Sequence, residues 1–382
     1  MKNINKRVVI VAPVHIWNDV RVFKKEALTL LGEGYEVILI ARVNNNCEKS
    51  GIKIISPAGS HRNRFLRFFS LPLVAIQALK YRGMVYHFHN PDTLPIAVLV
   101  KLLGHRVVYD THEDFTKKIL VRNWLPKYAR KLVAYMVGKA ERLTAGFVDR
   151  CIVTQENVAR RLGKNSILIG NPPRFDEALL RKVEVEAESI KVSNEYDVFR
   201  LVYIGGVSFS RGLKEMVEAL NILNNKISCR LWLIGPADKK ELMLAQDLKG
   251  WAFVDYLPRM PQEKAFAYVY LADVGLIYIN DVGDHSETDP NKIYEYMLFK
   301  KPFIASDFSK WRKKLGCYKA GIFITPGSAL ILSDTVEYLF ELGENEREKM
   351  GENGYCYVLK NNWDVESAKL ITLYQDLFVD KS

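Results

Sequence analysis

Two carboxylates, Glu287 and Glu295, stand seven intervening residues apart in the segment from His285 to Ser306. Asp289 followed by Pro290 announces a helix between them, because proline suits the first helical turn. Glu287 then lies in the loop before that helix and Glu295 about two turns into it, at roughly 3.6 residues per turn. Both can border one pocket. Backbone N–H groups at a helix N-terminus, at the carboxyl end of a parallel sheet, suit a diphosphate, and a nearby carboxylate suits ribose or sugar hydroxyls. A plainer reading stands beside this one: Asp289 caps the helix and Glu295 is solvated on its surface.

Such residues need elements to hold them. Apolar runs bounded by turn residues read as strands at Val8–Ala12, Tyr35–Ala41, Ile52–Ile55, Val85–His89, Arg106–Asp110, Arg150–Thr154 and Ser166–Ile169. Helical periodicity fills the gaps at Val20–Leu31, Arg64–Tyr81, Leu94–Leu103, Pro126–Thr144 and Glu156–Leu162. The second half repeats the scheme, with strands at Leu201–Ile204, Arg230–Ile234, Ala252–Val254, Val274–Ile279, Phe303–Ala305 and Gly321–Ile324. Its helices read Leu213–Leu223, Glu241–Lys249, Gln262–Leu271, Pro290–Phe299 and Ala329–Leu342. Alternation of this kind is α/β, with parallel sheets covered on both faces. We expect two Rossmann-like domains, 1–173 and 174–360, hinged at Pro172-Pro173, with a C-terminal helix in 361–382 that crosses back to the first.

The chain has 382 residues, 48% of them hydrophobic, enough for two full cores. Cys47, Cys151, Cys229, Cys317 and Cys356 are scattered without a close pair, which argues against a disulfide framework or a zinc cage and fits a reducing, cytoplasmic setting. The first apolar run is too short for a secretory signal, and the charge-free stretch Phe68–Leu79 is about half of the roughly 20 residues a spanning helix needs. A soluble or peripheral protein is expected. The net charge of +11 is uneven: residues 1–173 hold 28 Lys and Arg against 12 Asp and Glu, or +16, leaving −5 for the rest. One half is built to face anions.

With these residues placed, the chain resembles glycosyltransferase family 4, retaining enzymes of the GT-B fold whose second domain carries a glutamate, seven residues, then a second glutamate. Asn291-Lys292-Ile293-Tyr294-Glu295-Tyr296-Met297, followed by Lys301-Pro302, is similar to the family's helix and succeeding strand. His15-Ile16-Trp17-Asn18-Asp19-Val20-Arg21 through Glu26 resembles the first loop and helix of a subset of these enzymes. His87-Phe88-His89-Asn90-Pro91-Asp92 and Tyr109-Asp110-Thr111-His112-Glu113 resemble their later N-domain loops. Tyr203-Ile204-Gly205-Gly206 with Arg211-Gly212-Leu213-Lys214 is similar to the glycine turn and basic-Gly pair that open the second domain. The likeness spans most of residues 7–310.

That resemblance implies two domains facing each other across a deep cleft, with a nucleotide-sugar donor, UDP- or GDP-linked, on the second. Glu295 would bind the ribose and Glu287 the hydroxyls of the transferring sugar. Gly205, Gly206, Asn291 and Lys292 would border the donor, and Arg211 would balance the departing diphosphate, where charge stabilisation is best placed. Many relatives carry an arginine directly after the first glycine turn, but Val207 stands there. Either Lys214 substitutes or the glycine-turn amides take more of the load. His112 matches a histidine beside the donor sugar at the reaction centre, so His112, Arg211 and Glu287 are the catalytic candidates.

His15, Asp19 and His89 are the acceptor-side candidates, although Asn18 or Asp19 could equally cap the following helix. His87 and His89 flank Phe88 and are read as pointing to opposite faces, one of them into the core. No Asp-x-Asp pair occurs, so no metal and no cofactor beyond the sugar-nucleotide substrate are expected. A front-face displacement with retention is expected, since no carboxylate nucleophile emerges.

The acceptor is expected to be a cell-envelope glycan or a lipid-linked molecule. The basic–aromatic runs His61–Leu73 with Lys80–Arg82, and Arg122–Lys131, fit an anionic membrane surface at the inner face of a bilayer; the alternative places Phe65, Phe68 and Phe69 in the core of an ordinary helix. No recognition motif for nucleic acid accompanies the positive charge. A catalytically inactive glycosyltransferase-like partner protein and a GT-B sugar-nucleotide epimerase stay as alternatives. A dehydrogenase is disfavoured because the first strand lacks a glycine fingerprint.

Overall fold

A computed structural model describes residues 6–59, 69–122, 125–174, 177–190, 198–283, 285–288 and 291–379. Residues 61–68, Trp124 and the Asp289-Pro290 pair lie outside the described residues. The contacts divide the chain into two units, Met1–Asn171 with Trp363–Ser382, and Pro172–Asn362.

The first unit is an eight-stranded sheet: β1 (Arg7–Ile16), β2 (Glu36–Arg42), β3 (Cys47–Lys49), β4 (Ile52–Ile55), β5 (Val85–His89), β6 (Arg106–Thr111), β7 (Arg150–Val153) and β8 (Ser166–Leu168). Their order is β3-β4-β2-β1-β5-β6-β7-β8, parallel except for the β3–β4 edge pair. The chain winds outward from β1 by way of β2, then returns to the other side of β1 through β5. The carboxyl ends of β1 and β5 therefore flank the switch point, where open α/β sheets leave a crevice.

Helix α1 begins at Val20–Ala27 in π geometry and continues in α geometry through Leu28–Gly32. Next come α2 (Leu71–Lys80), α3 (Leu94–Leu102), α4 (Phe115–Leu120), α5 (Lys127–Phe147) and α6 (Glu156–Leu162). One sheet face buries Val22, Phe23, Ala27 and Leu30 of α1 with Trp363, Leu370 and Tyr374 of the terminal helix Trp363–Val379. The other face buries α2, α3, α5 and α6 through Val74, Ala97, Ala145 and Val158. Trp363 is fully buried and donates its indole N–H to Thr29 Oγ1 at 2.9 Å.

The second unit carries β9 (Phe199–Ile204), β10 (Cys229–Ile234), β11 (Val254–Leu257), β12 (Val274–Ile277), β13 (Phe303–Ser306) and β14 (Gly321–Ile324), all parallel, in the order β11-β10-β9-β12-β13-β14. Its switch point falls between β9 and β12. The helices are α7 (Glu177–Ser189), α8 (Leu213–Leu223), α9 (Lys239–Gln246), α10 (Gln262–Leu271), α11 (Asn291–Leu298), α12 (Ser309–Leu315), α13 (Ala329–Glu341) and α14 (Glu344–Lys360), and the terminal helix is α15. The class is α/β, with two sheets that fit two Rossmann-like domains.

Five elements were not among the expected ones: β3, α4, α7, α12 and α14. Helix α14 holds Gly351 and Gly354, poor helix formers, yet a Cβ on Gly351 would lie 1.9 Å from the Lys300 carbonyl oxygen. Close packing behind α11 selects glycine there over helix propensity. The strand expected at Ala252–Val254 instead starts at Val254, because Lys249–Phe253 forms a short 3-10 turn.

Candidate active site

In the second unit the loop after β9 reaches the switch point as Gly205-Gly206. Gly205 has φ +138°, and a Cβ there would sit 2.4 Å from Lys292 Cε and 2.7 Å from its Nζ. The φ favours glycine, and the Lys292 side chain, entering from the first turn of α11, lies directly on this backbone. The turn is held by the Tyr203 hydroxyl, which donates to the Gly206 carbonyl at 2.8 Å. Arg211 Nε reaches within 3.6 Å of where a Gly206 side chain would begin. Gly212, at φ +76°, starts α8 with the space for its missing Cβ filled by the Tyr278 carbonyl oxygen at 1.9 Å, so the Arg211-Gly212 pair is tied to the chain leaving β12.

Burial lowers the Lys292 ammonium's pKa, and Arg211 lowers it further, while Glu295 one turn along α11 partly restores it. Two cations held beside a glycine turn repel each other, and a phosphate group relieves that repulsion. Asn291 Oδ1, at the start of α11, is buried without a protein partner among the described residues. Tyr296 fixes the helix by donating to the Leu276 carbonyl at 2.8 Å. Lys214, the other candidate cation, pairs with Glu218 at 3.8 Å on the solvated side of α8.

Glu287 occupies a short 3-10 turn, His285–Glu287. Lys310 Nζ donates to the Glu287 carbonyl at 2.5 Å, and the Trp311 indole donates to the Thr288 carbonyl at 2.8 Å. His285 Nδ1 lies 2.9 Å from the Asn280 carbonyl, while the Asn280 side chain donates to the Phe209 carbonyl at 3.0 Å. Asn280 thereby joins the Glu287 loop to the Arg211 loop. Sequence reasoning missed it, since it ends an ordinary strand pattern with no motif around it.

In the first unit His15, Asp19, His89 and His112 gather at the ends of β1, β5 and β6. His15 Nδ1 is 3.1 Å from Asp19 and its Nε2 is 2.8 Å from the Asn90 amide. A proton on Nδ1 donated to Asp19 leaves Nε2 free to accept from Asn90. Burial opposes protonation of His15, but the Asp19 hydrogen bond and the Asp19, Asp92 and Asp110 charges outweigh it and raise its pKa. Asp19 also caps α1 by accepting from the Arg21 and Val22 amides. The capping role proposed for it is thereby met. Burial would raise the Asp19 pKa, yet these bonds hold it well below the carboxylate range. The His112 ring lies 5.5 Å from that of His15, with Nδ1 3.5 Å from Asp110.

His87 and His89 do not point to opposite faces. Residues two apart on a strand share a face, and the two rings stack at 4.5 Å. Both are fully buried, so His89 reaches no solvent. They belong to a charge network that the sequence reading missed. Because hydrogen bonds in π geometry close over five residues, Arg21 and Glu26 turn inward from one face of α1. Arg21 pairs with Glu26 at 2.9 Å and with Asp110 at 3.0 Å, and His89 Nε2 lies 3.2 Å from Glu26. Tyr374 of α15 pairs its hydroxyl with His87 Nδ1 at 2.9 Å.

Burial and the Asp110 charge push the Glu26 carboxyl up to about 8. Burial would also raise Asp110, but Arg21 and the His112 and His87 rings hold it well below the usual range. Burial takes His89 down to about 3. Glu26, His87, His89 and Asp110 place ligand atoms within 4.8 Å of one another, the spacing of a metal cluster. The Arg21 guanidinium already supplies the positive charge these carboxylates need.

Residues 185–356 match the family model described as glycosyl transferases, group 1. The match covers most of the second unit. No curated protein sequence matches the chain. Among solved structures, sucrose-phosphate synthase from Thermosynechococcus elongatus superposes with a TM-score of 0.78 at 17% identity, over 98% of this chain and 100% of that one. A glycosyltransferase from Rickettsia africae reaches 0.70 at 16% identity, over 99% and 100%. Anabaena HepE, solved with UDP and glucose, reaches 0.68 at 12% identity, over 96% and 99%. The fold shared with these glycosyltransferases is GT-B. The glycine turn, Arg211, Lys292 and Glu295 all lie inside the matched stretch.

Proposed function

We propose that the chain is a retaining, metal-independent glycosyltransferase of family 4 that transfers a sugar from a UDP- or GDP-linked donor to a cell-envelope glycan or a lipid-linked acceptor at the inner face of a membrane. One observation carries the reading. Arg211 and the desolvated Lys292 flank the Gly205–Gly206 turn at the switch point of the glycosyltransferase domain. As the sugar leaves, negative charge concentrates on the diphosphate, and cations already in position stabilise it without reorganisation. In this reading Glu295 accepts from the ribose, Glu287 and Asn291 meet the sugar and its phosphates, and His112 faces the donor sugar. His15 and Asp19 face the acceptor hydroxyl, the leaving phosphate takes the acceptor proton, and the +16 charge of residues 1–173 favours an anionic surface.

Metal independence rests on charge supply: two side-chain cations replace a bridging ion at the phosphates. That Anabaena HepE was solved with UDP supports a uridine donor here. A panel of UDP-, GDP- and ADP-sugars, read by thermal shift and by slow donor hydrolysis in the presence of EDTA, tests the reading. One sugar nucleotide stabilises the protein and turns over with chelator present. Turnover only with added divalent ion removes the metal-independent part, and inversion at the anomeric carbon, read by NMR of the product, removes retention.

A further inference from the structure

The helical layer formed by α2, α3 and α5 bears exposed apolar side chains that the donor chemistry does not use. Helix α5 is the extreme case. Its solvent side carries Tyr128, Leu132, Tyr135, Met136 and Leu143, each more than half exposed, spaced at the three- and four-residue intervals of one helical stripe. Leu73 and Ile76 on α2 and Leu102 on α3 extend the apolar area. Isolated exposed apolar residues are ordinary on a soluble protein, but a continuous array on packed neighbouring helices marks a contact surface.

Between α4 and α5 this surface sinks into a trough of about 1070 Å³. Leu120, Ala134, Tyr135, Leu143 and Phe147 are among its apolar lining, with Gly138 and Gly146. A Cβ on Gly146 would meet nothing within 4 Å, whereas one on Gly138 would sit 2.8 Å from Thr116 Cγ2, beside α4. Lys117, Lys131, Lys139 and Arg142 stand along the rim, and no carboxylate lines the trough. The only acid of α5, Glu141, is buried and spent on Arg161 at 2.8 Å and the Tyr109 hydroxyl at 2.9 Å.

We propose that α5 and the α4–α5 trough dock on an anionic phospholipid bilayer, with the apolar stripe entering the acyl boundary and the rim cations meeting lipid phosphates. Charge complementarity selects this occupant, because an apolar lining with four cations and no carboxylate among the described residues matches an acyl chain beneath a phosphate. No helix among the described residues is long and apolar enough to cross a membrane, and the attachment proposed is a peripheral one. The proposal deepens the membrane setting of the proposed function and stands apart from the donor site in its test.

The test is co-sedimentation of the full chain with phosphatidylcholine vesicles, with and without roughly a third phosphatidylglycerol. Wild type pellets with the anionic vesicles at low salt and is released by high salt. Tyr135→Glu/Leu143→Glu and, separately, Lys139→Glu/Arg142→Glu each weaken binding by about tenfold or more, while Met243→Glu/Leu244→Glu on the second unit pellets like wild type. UDP calorimetry on the same preparations reports on the donor reading independently. Wild type staying in the supernatant, equal binding to neutral vesicles, or unchanged binding by both α5 variants overturns the proposal. A wild-type dimer that Tyr135→Glu/Leu143→Glu converts to monomer, with no vesicle binding, also overturns it and assigns the face to a second copy of the chain.

Discussion

Asp110→Asn probes the buried charge network most sharply. Asp110 is fully buried and its carboxylate lies 3.0 Å from Arg21. Removing one partner of a buried ion pair costs roughly 3–5 kcal/mol, because the other charge is left without compensation. Here Glu26 stands 2.9 Å from the same guanidinium, and its raised pKa falls once the Asp110 charge is gone. Glu26 then ionises and takes over the pairing, which places the cost near the low end, about 3 kcal/mol. For a unit of this size a loss of 1 kcal/mol lowers the melting temperature by roughly 2–4 °C, so the unfolding transition should drop by about 6–12 °C. Circular dichroism melts of wild type and variant at pH 7 measure it. A variant melting within about 1 °C of wild type would show that Arg21 and Asp110 are not an ion pair.

Stability should peak near neutral pH. His87 and His89 are depressed, His89 to about 3, so their contribution is full above the ordinary 6.5 and is lost as pH falls toward the folded value, at about 1.4 kcal/mol per pH unit for each fully discriminating ring. Glu26 acts oppositely: its folded value of about 8 exceeds the ordinary 4.5, so its contribution is full below 4.5 and is lost progressively as pH rises to 8. Urea titrations from pH 5 to 9 check both limbs, and Glu26→Gln should flatten the alkaline one and steepen the acid one. Gly205→Ala should displace Lys292 and weaken UDP or GDP binding by about tenfold or more with the fold retained, as seen by calorimetry beside circular dichroism. Tyr374→Phe should cost about 1 kcal/mol by removing the partner of His87, with a melting shift of a few degrees; a shift as large as that of Asp110→Asn would contradict a single neutral bond.

Strand and helix order was legible because buried parallel strands are short apolar runs and the helices between them carry clear periodicity; Leu213–Leu223 and Gln262–Leu271 match residue for residue. The proposed donor side was legible in part: the glycine turn, Arg211, Lys292 and Glu295 are close in space within one domain, while the approach of the Lys292 side chain to Gly205 is a tertiary contact that no local pattern carries. The network around Arg21 was hidden for a different reason. Arg21 and Glu26 share a face only in π geometry, and nothing in the local sequence distinguishes that from an ordinary helix start. Tyr374 and His87 are 287 residues apart, a pairing no local pattern carries.

Calorimetric titration of UDP and GDP into wild type, Arg211→Ala and Lys292→Ala tests the central claim most directly. A charge-assisted hydrogen bond to phosphate contributes about 1.5–3 kcal/mol, so wild type should bind one of the two nucleotides and each variant should bind it roughly 10- to 100-fold more weakly. No heat with either nucleotide, or both variants binding as tightly as wild type, would contradict the account.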